Sequence, residues 1–131
     1  MINKITHITV LVKDQDEALK YYTEKLGFEK IDDEKIGNFR WLVVAPKTQK
    51  ETGISLMKAE TQEEKLLTGR QTGGRHSLFV LSTQDFQKTY SEMKTRGVIF
   101  KNEPMQNPWG MAVQFIDLYG NQFDLFQSKG K

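Results

Sequence analysis

The chain has 131 residues, of which 37% are hydrophobic and 27% charged, and its net charge is +2. This length and composition fit one globular domain with a buried core. Acidic and basic residues are mixed and cysteine is absent, which argues against nucleic-acid binding and excludes disulfides, thiolate metal sites and cysteine nucleophiles. No apolar run approaches the ~20 residues of a membrane span and no secretory h-region is present, so we expect no membrane partner and a cytoplasmic location.

The first half of the sequence predicts a strand, a helix and three further strands. Apolar and polar residues alternate over residues 5–12, with His7 on the polar face. Asp14 and Glu17 form a capping-box pattern at the start of a helix, and Gly27 suits the position just after its end. Strands are then predicted at residues 28–31, 39–45 and 53–58.

The second half repeats this order of elements. Residues 76–81 predict a strand, Ser82 or Thr83 can cap a helix, and Gly97 is suited to end that helix. Strands are then predicted at residues 99–101, 111–116 and 122–126. Between the halves, residues 60–75 are charged and then rich in turn-forming residues, which predicts a flexible linker that can include a short helix at residues 63–67.

The repeated order predicts an α+β fold built from two tandem βαβββ modules within a single domain of residues 1–131. The first module covers about residues 1–59 and the second about residues 76–127. Each four-stranded sheet can curl into a half-barrel. The inward faces of the strands then line a cavity, and the helices cover the outside.

The only two histidines stand at equal distances from two residues in the last predicted strand of each module. His7 precedes Ser55 by 48 residues (55 − 7), and His76 precedes Asp124 by 48 residues (124 − 76). If these pairs correspond, the first and last strands of the two modules bring two histidines, a carboxylate and a serine toward one cavity. The set therefore contains three residues of metal-binding type and one neutral hydroxyl.

Short motifs occur in a fixed order along nearly the whole chain. They are His7 and Asp14 seven residues apart, Tyr21 and Tyr22 on the helix, Leu26, Gly27 and Phe28 after it, and Asp117, Leu118, Tyr119, Gly120 and Asn121 before the last strand. In this order they resemble the motifs of the vicinal oxygen chelate superfamily. That superfamily includes glyoxalase I, fosfomycin-resistance thiol transferases, extradiol dioxygenases and bleomycin-binding proteins.

The resemblance implies a set of metal-ligand positions. In the superfamily, ligands come from the first and last strand of each module, positions that hold His7, Ser55, His76 and Asp124 here. Glyoxalase I has a carboxylate where Ser55 stands, which disfavours ordinary lactoylglutathione lyase activity. The other three residues predict a site for a divalent Mn, Fe, Zn or Ni ion. If the second module is aligned by its helix instead, Leu78 replaces His76, and the pattern alone leaves both alignments open.

Two functional hypotheses follow from the resemblance. One is a metalloprotein whose cation polarises a small oxygen-rich substrate, with reaction type and catalytic residues unassigned. The other is a metal-free protein of the bleomycin-resistance type that sequesters an aromatic or antibiotic-like molecule. In both, the predicted pocket contains Thr9, Trp41, Ser55 and Trp109. Because sites in this superfamily are commonly built from two chains, we also predict a homodimer.

Overall fold

The computed structural model describes residues 1–130, and contacts within the chain divide it into two compact units. The elements of the first unit, Met1–Thr68, are β1 (His7–Val12), α1 (Gln15–Glu24), β2 (Glu29–Ile36), β3 (Phe39–Ala45), β4 (Gly53–Lys58) and α2 (Gln62–Leu67). Its four strands form one sheet in the order β1-β4-β3-β2. Strands β1 and β4 run parallel, and the other neighbours in this sheet are antiparallel.

The second unit begins at Gly69 and repeats the strand and helix order of the first. Its elements are β5 (Phe79–Ser82), α3 (Phe86–Thr95), β6 (Ile99–Phe100), β7 (Met105–Asn107), β8 (Gly110–Ile116) and β9 (Gln122–Ser128). The strand order is β5-β9-β8-β6, and β7 pairs with β8 outside this path. The predicted α+β class with two tandem modules is confirmed, and β7 is an additional strand that the sequence pattern did not indicate.

Each long helix begins at an aspartate that satisfies a free backbone N–H group. The Asp14 carboxylate accepts a 2.9 Å hydrogen bond from the backbone N–H of Glu17, and Asp85 accepts one of 3.2 Å from that of Lys88. The prediction of Ser82 or Thr83 as the second cap is wrong. The Thr83 hydroxyl instead accepts from the Asp85 N–H at 3.1 Å, so it shapes the turn that leads into the helix.

Alternate residues along the strands form the core of each unit. In the first unit, Val10, Leu42 and Leu56 are fully buried on the sheet face that α1 covers with Tyr22. In the second unit, Phe115 and Phe123 are buried next to each other, with ring centroids 5.4 Å apart. The residues between these positions project to the opposite face of each sheet, which carries Thr9 and Ser55 in the first unit and Asp124 in the second.

The predicted linker at residues 60–75 is partly helical. Thr61 and Glu64 form a complete capping box at the start of α2, because each side chain binds the backbone N–H of the other. Positive φ angles at Gly73 and Gly74 then turn the chain ahead of β5. Within residues 1–130, no helix has both the length and the apolar character that crossing a membrane requires.

Candidate functional site

The parallel ladders show which residues of the two modules correspond. Thr9 lies opposite Ser55 in the pairing of β1 with β4, and Val80 lies opposite Asp124 in the pairing of β5 with β9. Both pairs lie on the sheet face turned away from the helix. Ser55 and Asp124 therefore occupy equivalent positions in the last strand of their modules.

The helix caps extend this comparison to the first strands. Asp14 lies seven residues after His7 (14 − 7), and Asp85 lies seven residues after Leu78 (85 − 78). His7 also lies two residues before Thr9, just as Leu78 lies two before Val80. The structure thus aligns Leu78, and not His76, with His7, and the equal spacing of 48 residues does not mark equivalent positions.

His76 lies in a turn outside the strand. The predicted strand start at residue 76 is wrong, because the ladder begins where the Leu78 N–H donates to the Gln122 carbonyl at 2.7 Å. The Thr72 hydroxyl donates to the His76 carbonyl oxygen at 2.6 Å and holds this residue at the end of the glycine turn. Its side chain is exposed on the second unit.

His7 is an exposed residue at the start of β1. Its Nδ1 atom lies 3.0 Å from the Thr6 hydroxyl, and the edge of its ring contacts Trp41 at a centroid distance of 5.1 Å. Trp41 is partly buried on the neighbouring part of the sheet. His7 therefore joins a small aromatic cluster on the open face of the first sheet.

Ser55 is almost completely buried in the first sheet. Only 1% of the residue is exposed, and its hydroxyl donates to the Ile8 carbonyl oxygen at 3.4 Å. Val43 is its cross-strand neighbour on β3 and is equally buried. Ser55 therefore fills a small, neutral and closed position in the first sheet.

Asp124 occupies the equivalent position in the second unit, but it is half-buried and strongly hydrogen-bonded. Its Oδ1 atom accepts a 2.5 Å bond from the Ser77 hydroxyl. The Ser77 hydroxyl oxygen also accepts a hydrogen bond of 3.0 Å from Gln122 Nε2. The side-chain Oε1 atom of Gln122 accepts a hydrogen bond of 2.5 Å from Lys101 Nζ. This chain of hydrogen bonds fixes the orientation of the carboxylate.

The first unit contains a cavity of about 620 Å³ where β1, β3 and β4 approach the start of α1. Leu11, Phe39 and Met57 form its apolar surface, and the hydroxyl-bearing Thr9 lies next to them. Its charged residues are balanced, four of each sign: Lys13, Lys35, Arg40 and Lys58 with Asp14, Asp16, Glu60 and Glu64. Its volume lies within the range of pockets that hold drug-sized molecules.

The side chain of Gln15 supports the cavity where β3 and β4 separate. The ladder between these strands pairs Val43 with Ser55 and Val44 with Ile54. Farther along, Gln15 Nε2 donates to the carbonyl oxygens of Arg40 and Leu56, at 3.1 and 2.7 Å. One amide group therefore replaces the hydrogen bonds of the ladder and bridges the gap between two strands.

An ion-pair network fixes the hairpin of β2 and β3 beside the same cavity. Arg40 donates to Asp33 through Nε at 2.8 Å and Nη2 at 2.9 Å, and to Asp16 through Nη1 at 2.7 Å. These hydrogen bonds from Arg40, with a smaller effect of Lys30, lower the pKa of Asp33 from 3.8 to about 2. The network joins the hairpin to the first turn of α1.

Asp33→Asn is expected to lower the free energy of unfolding by about 1 kcal/mol at pH 7. Because the pKa of Asp33 is depressed in the folded state, the stabilisation is complete above pH 4 and is lost as the pH falls toward 2. Urea unfolding at pH 7, 4 and 2.5 should therefore show a shrinking difference from the parent protein. Asp32→Asn, on the opposite face of β2, is the control. A difference that stays constant with pH would contradict the assignment.

A family model described as the Glyoxalase/Bleomycin resistance protein/Dioxygenase superfamily matches residues 4–125. The chain belongs to this superfamily. Its relatives include an uncharacterized protein of Shewanella frigidimarina, which is 38% identical over 133 residues, covering 100% of this chain and 98% of that one.

Two solved structures of high similarity support this assignment. The crystal structure of UcmS2 is 35% identical, with a TM-score of 0.87, and the match covers 96% of this chain and 98% of that chain. TnmS3, an antibiotic binding protein from Streptomyces sp. CB03234, is 29% identical with a TM-score of 0.80, and the match covers 98% of each chain. The superfamily fold thus extends over nearly the whole protein.

The donor set of this superfamily member does not fit a metal site of the expected kind. The equivalent positions hold His7, Ser55, Leu78 and Asp124, so two of the four carry a side chain that commonly binds metal. Within residues 1–130, no group of three or more His, Asp or Glu side chains could hold a metal ion. Binding of a cation by His7, His76 and Asp124 stays a prediction.

The two tryptophans of the predicted pocket differ in burial: Trp41 is partly buried, whereas Trp109 is exposed. Trp109 is 66% exposed in the turn before β8, where the Asn107 side chain accepts from the N–H groups of Trp109 and Gly110. The Trp109 carbonyl accepts from the Lys129 N–H at 2.8 Å, which ties the turn to the end of β9. Of the four predicted pocket residues, Thr9 lines the 620 Å³ cavity, whereas Trp41, Ser55 and Trp109 are not among the residues that form its walls.

Sequence reasoning missed the polar residues Gln15 and Ser77, and also Gln114, the cross-strand neighbour of Asp124. A usable signal exists for Gln114, which interrupts the apolar residues Val113 and Phe115 in β8 and pairs with Asp124. No comparable signal exists for Gln15, since its partners lie 25 and 41 residues away in the sequence.

Proposed function

We propose that this protein binds a small, partly aromatic molecule without a metal ion, in the manner of an antibiotic-binding protein. The observation that carries this proposal is the 620 Å³ cavity of the first unit, with its apolar surface of Leu11, Phe39 and Met57. Phe39 is 50% exposed, so a bound ring would cover apolar surface that now contacts water.

The superfamily relationship gives independent support. TnmS3 is an antibiotic binding protein, and this chain matches it over 98% of both lengths at 29% identity. The closed, neutral position of Ser55 and the replacement of a ligand position by Leu78 are changes that a binding protein tolerates. Such a protein needs shape, desolvation and polar contacts, and no bond in the ligand has to break.

The walls of the cavity indicate how recognition would work. A ring would lie against Phe39 and Met57, and its polar substituents would reach the charged residues at the start of α1. The Arg40 network holds the hairpin that carries Phe39, so the apolar wall is formed before the ligand binds. A preformed wall lowers the conformational cost of binding.

Isothermal titration calorimetry with a panel of aromatic antibiotics, including doxorubicin and bleomycin, tests the proposal. For any compound that binds, Phe39→Ala should weaken affinity by about tenfold or more, because a buried phenyl ring contributes roughly 1.5–3 kcal/mol. Ile36→Ala is the matched control, since Ile36 pairs with Phe39 in the hairpin and is 69% exposed but does not line the cavity.

The metal-dependent hypothesis makes the opposite prediction in the same titration. Under the binding proposal, affinity is unchanged after treatment with EDTA. Binding that disappears with EDTA, returns with Mn²⁺ and is lost in both His7→Ala and Asp124→Ala would contradict it. That result would support the metal site predicted from the sequence. The predicted homodimer stays a prediction.

A further inference from the structure

A second, smaller cavity of about 280 Å³ lies in the second unit, on the open face of its sheet. Its residues include Asp124, Asn102, Asn107, Gln114, Ala112 and Met105. The volume lies just below the usual range for whole drug-sized ligands, so this cavity fits one functional group of a larger molecule. Asp124 is the one ionisable residue among those that line it.

The Asp124 carboxylate lines this cavity, and one of its two oxygen atoms is hydrogen-bonded within the chain. Its Oδ1 atom is occupied by the Ser77 hydroxyl, whereas Oδ2 has no hydrogen-bond partner among residues 1–130. No buried side-chain oxygen or nitrogen of the described residues lacks a partner, so Oδ2 must be accessible to solvent. The carboxylate is held by Ser77 and has an acceptor site available for a ligand.

The neighbouring amides are already oriented by the fold. Asn102 Nδ2 donates to Gln114 Oε1 at 3.2 Å, and Asn102 Oδ1 accepts from the Gln114 backbone N–H at 3.0 Å. Gln114 is also the cross-strand neighbour of Asp124 on β8. The cavity thus combines one negative charge, fixed amide groups and the apolar side chains of Ala112 and Met105.

We propose that this cavity, which we call the Asp124 subsite, binds the protonated amine of a small molecule; this goes beyond the function proposed for the first unit. An ammonium group can donate to Oδ2 in a charge-assisted hydrogen bond, while the carbon next to it contacts Met105 and Ala112. A single carboxylate among neutral amides provides too few charged ligands for a divalent cation and repels an anion. The group that this subsite recognises would therefore be a basic amine.

The test uses two small probes that share a ring and differ in charge. Benzylamine and benzyl alcohol are titrated into the full chain, and backbone amide shifts are followed by ¹H–¹⁵N NMR. Benzylamine should shift the amides of Ala112 and Asp124 saturably, with affinity about tenfold or more above that of benzyl alcohol. Asp124→Asn should abolish this preference. Ser77→Ala, which keeps the charge, should retain it within about threefold.

Equal binding of the two probes, or an amine preference that persists in Asp124→Asn, would overturn the proposal. So would equimolar Mn²⁺ that broadens the Asp124 amide and displaces benzylamine, because the carboxylate would then be a metal ligand. If Asp124→Asn does not fold, a loss of the amine preference in Ser77→Ala would likewise count against it. These probes report on the second unit, so their failure leaves the Phe39 experiment on the first unit unaffected.

Discussion

Ser55→Glu is expected to lower the free energy of unfolding by about 3–5 kcal/mol. The substitution restores the carboxylate that glyoxalase I has at this position, but here the residue is 1% exposed. The Ser55 hydroxyl donates to the Ile8 carbonyl oxygen, an acceptor that repels a carboxylate. The new charge would therefore be buried, at a high desolvation cost.

Urea unfolding of the parent protein and Ser55→Glu measures this effect. Ser55→Ala is the control and should cost about 1 kcal/mol or less, since it removes one hydrogen bond of 3.4 Å. The same curves are recorded with 1 mM Mn²⁺ or Ni²⁺. Recovery of the stability of Ser55→Glu by either ion would show that a metal can reach this position, in conflict with metal-independent binding.

Gln15→Leu is expected to lower the free energy of unfolding by about 2–3 kcal/mol. Leucine has a similar size but cannot donate, so the carbonyl groups of Arg40 and Leu56 both lose their hydrogen bond. Because these carbonyls lie where β3 and β4 separate, we also expect faster hydrogen exchange in both strands. Ligands of the 620 Å³ cavity should bind more weakly, since Gln15 lines it.

Gln87→Leu is a suitable control for this variant, because Gln87 is an exposed glutamine near the start of α3. It should change the free energy of unfolding by less than about 0.5 kcal/mol. Equal effects of the two substitutions would mean that the Gln15 bridge does not stabilise the protein. Exchange rates that rise throughout the chain, and not in β3 and β4, would contradict the local role of the bridge.

Local patterns in the sequence predicted most of the strands. Residues 39–45 and 53–58 form β3 and β4 with the predicted bounds, because apolar runs and alternation depend on neighbouring residues alone. The Asp14 cap was predicted for the same reason, as its partner lies three residues away. The three-residue strand β7 carries no comparable pattern, since Met105 is exposed and two of its residues are polar.

Register was the main feature that could not be predicted. The choice between His76 and Leu78 depends on where β5 first pairs with β9, and that start is set by the bond from Leu78 to Gln122. The turn that excludes His76 depends on a hydrogen bond from Thr72. The candidate sites were predicted in part: Thr9 and Asp124 line cavities, while Gln15 and Ser77 act through contacts between distant segments.

The equivalent positions of Ser55 and Asp124 also bear on how this protein can evolve. The first unit has a neutral, buried residue at this position, Ser55, and the second has a half-buried acidic residue, Asp124. Mutations near Phe39 therefore change the cavity of the first unit alone, and mutations near Asp124 change the cavity of the second unit alone. Under the two proposals, the repeated fold carries two recognition elements that substitutions can adjust separately.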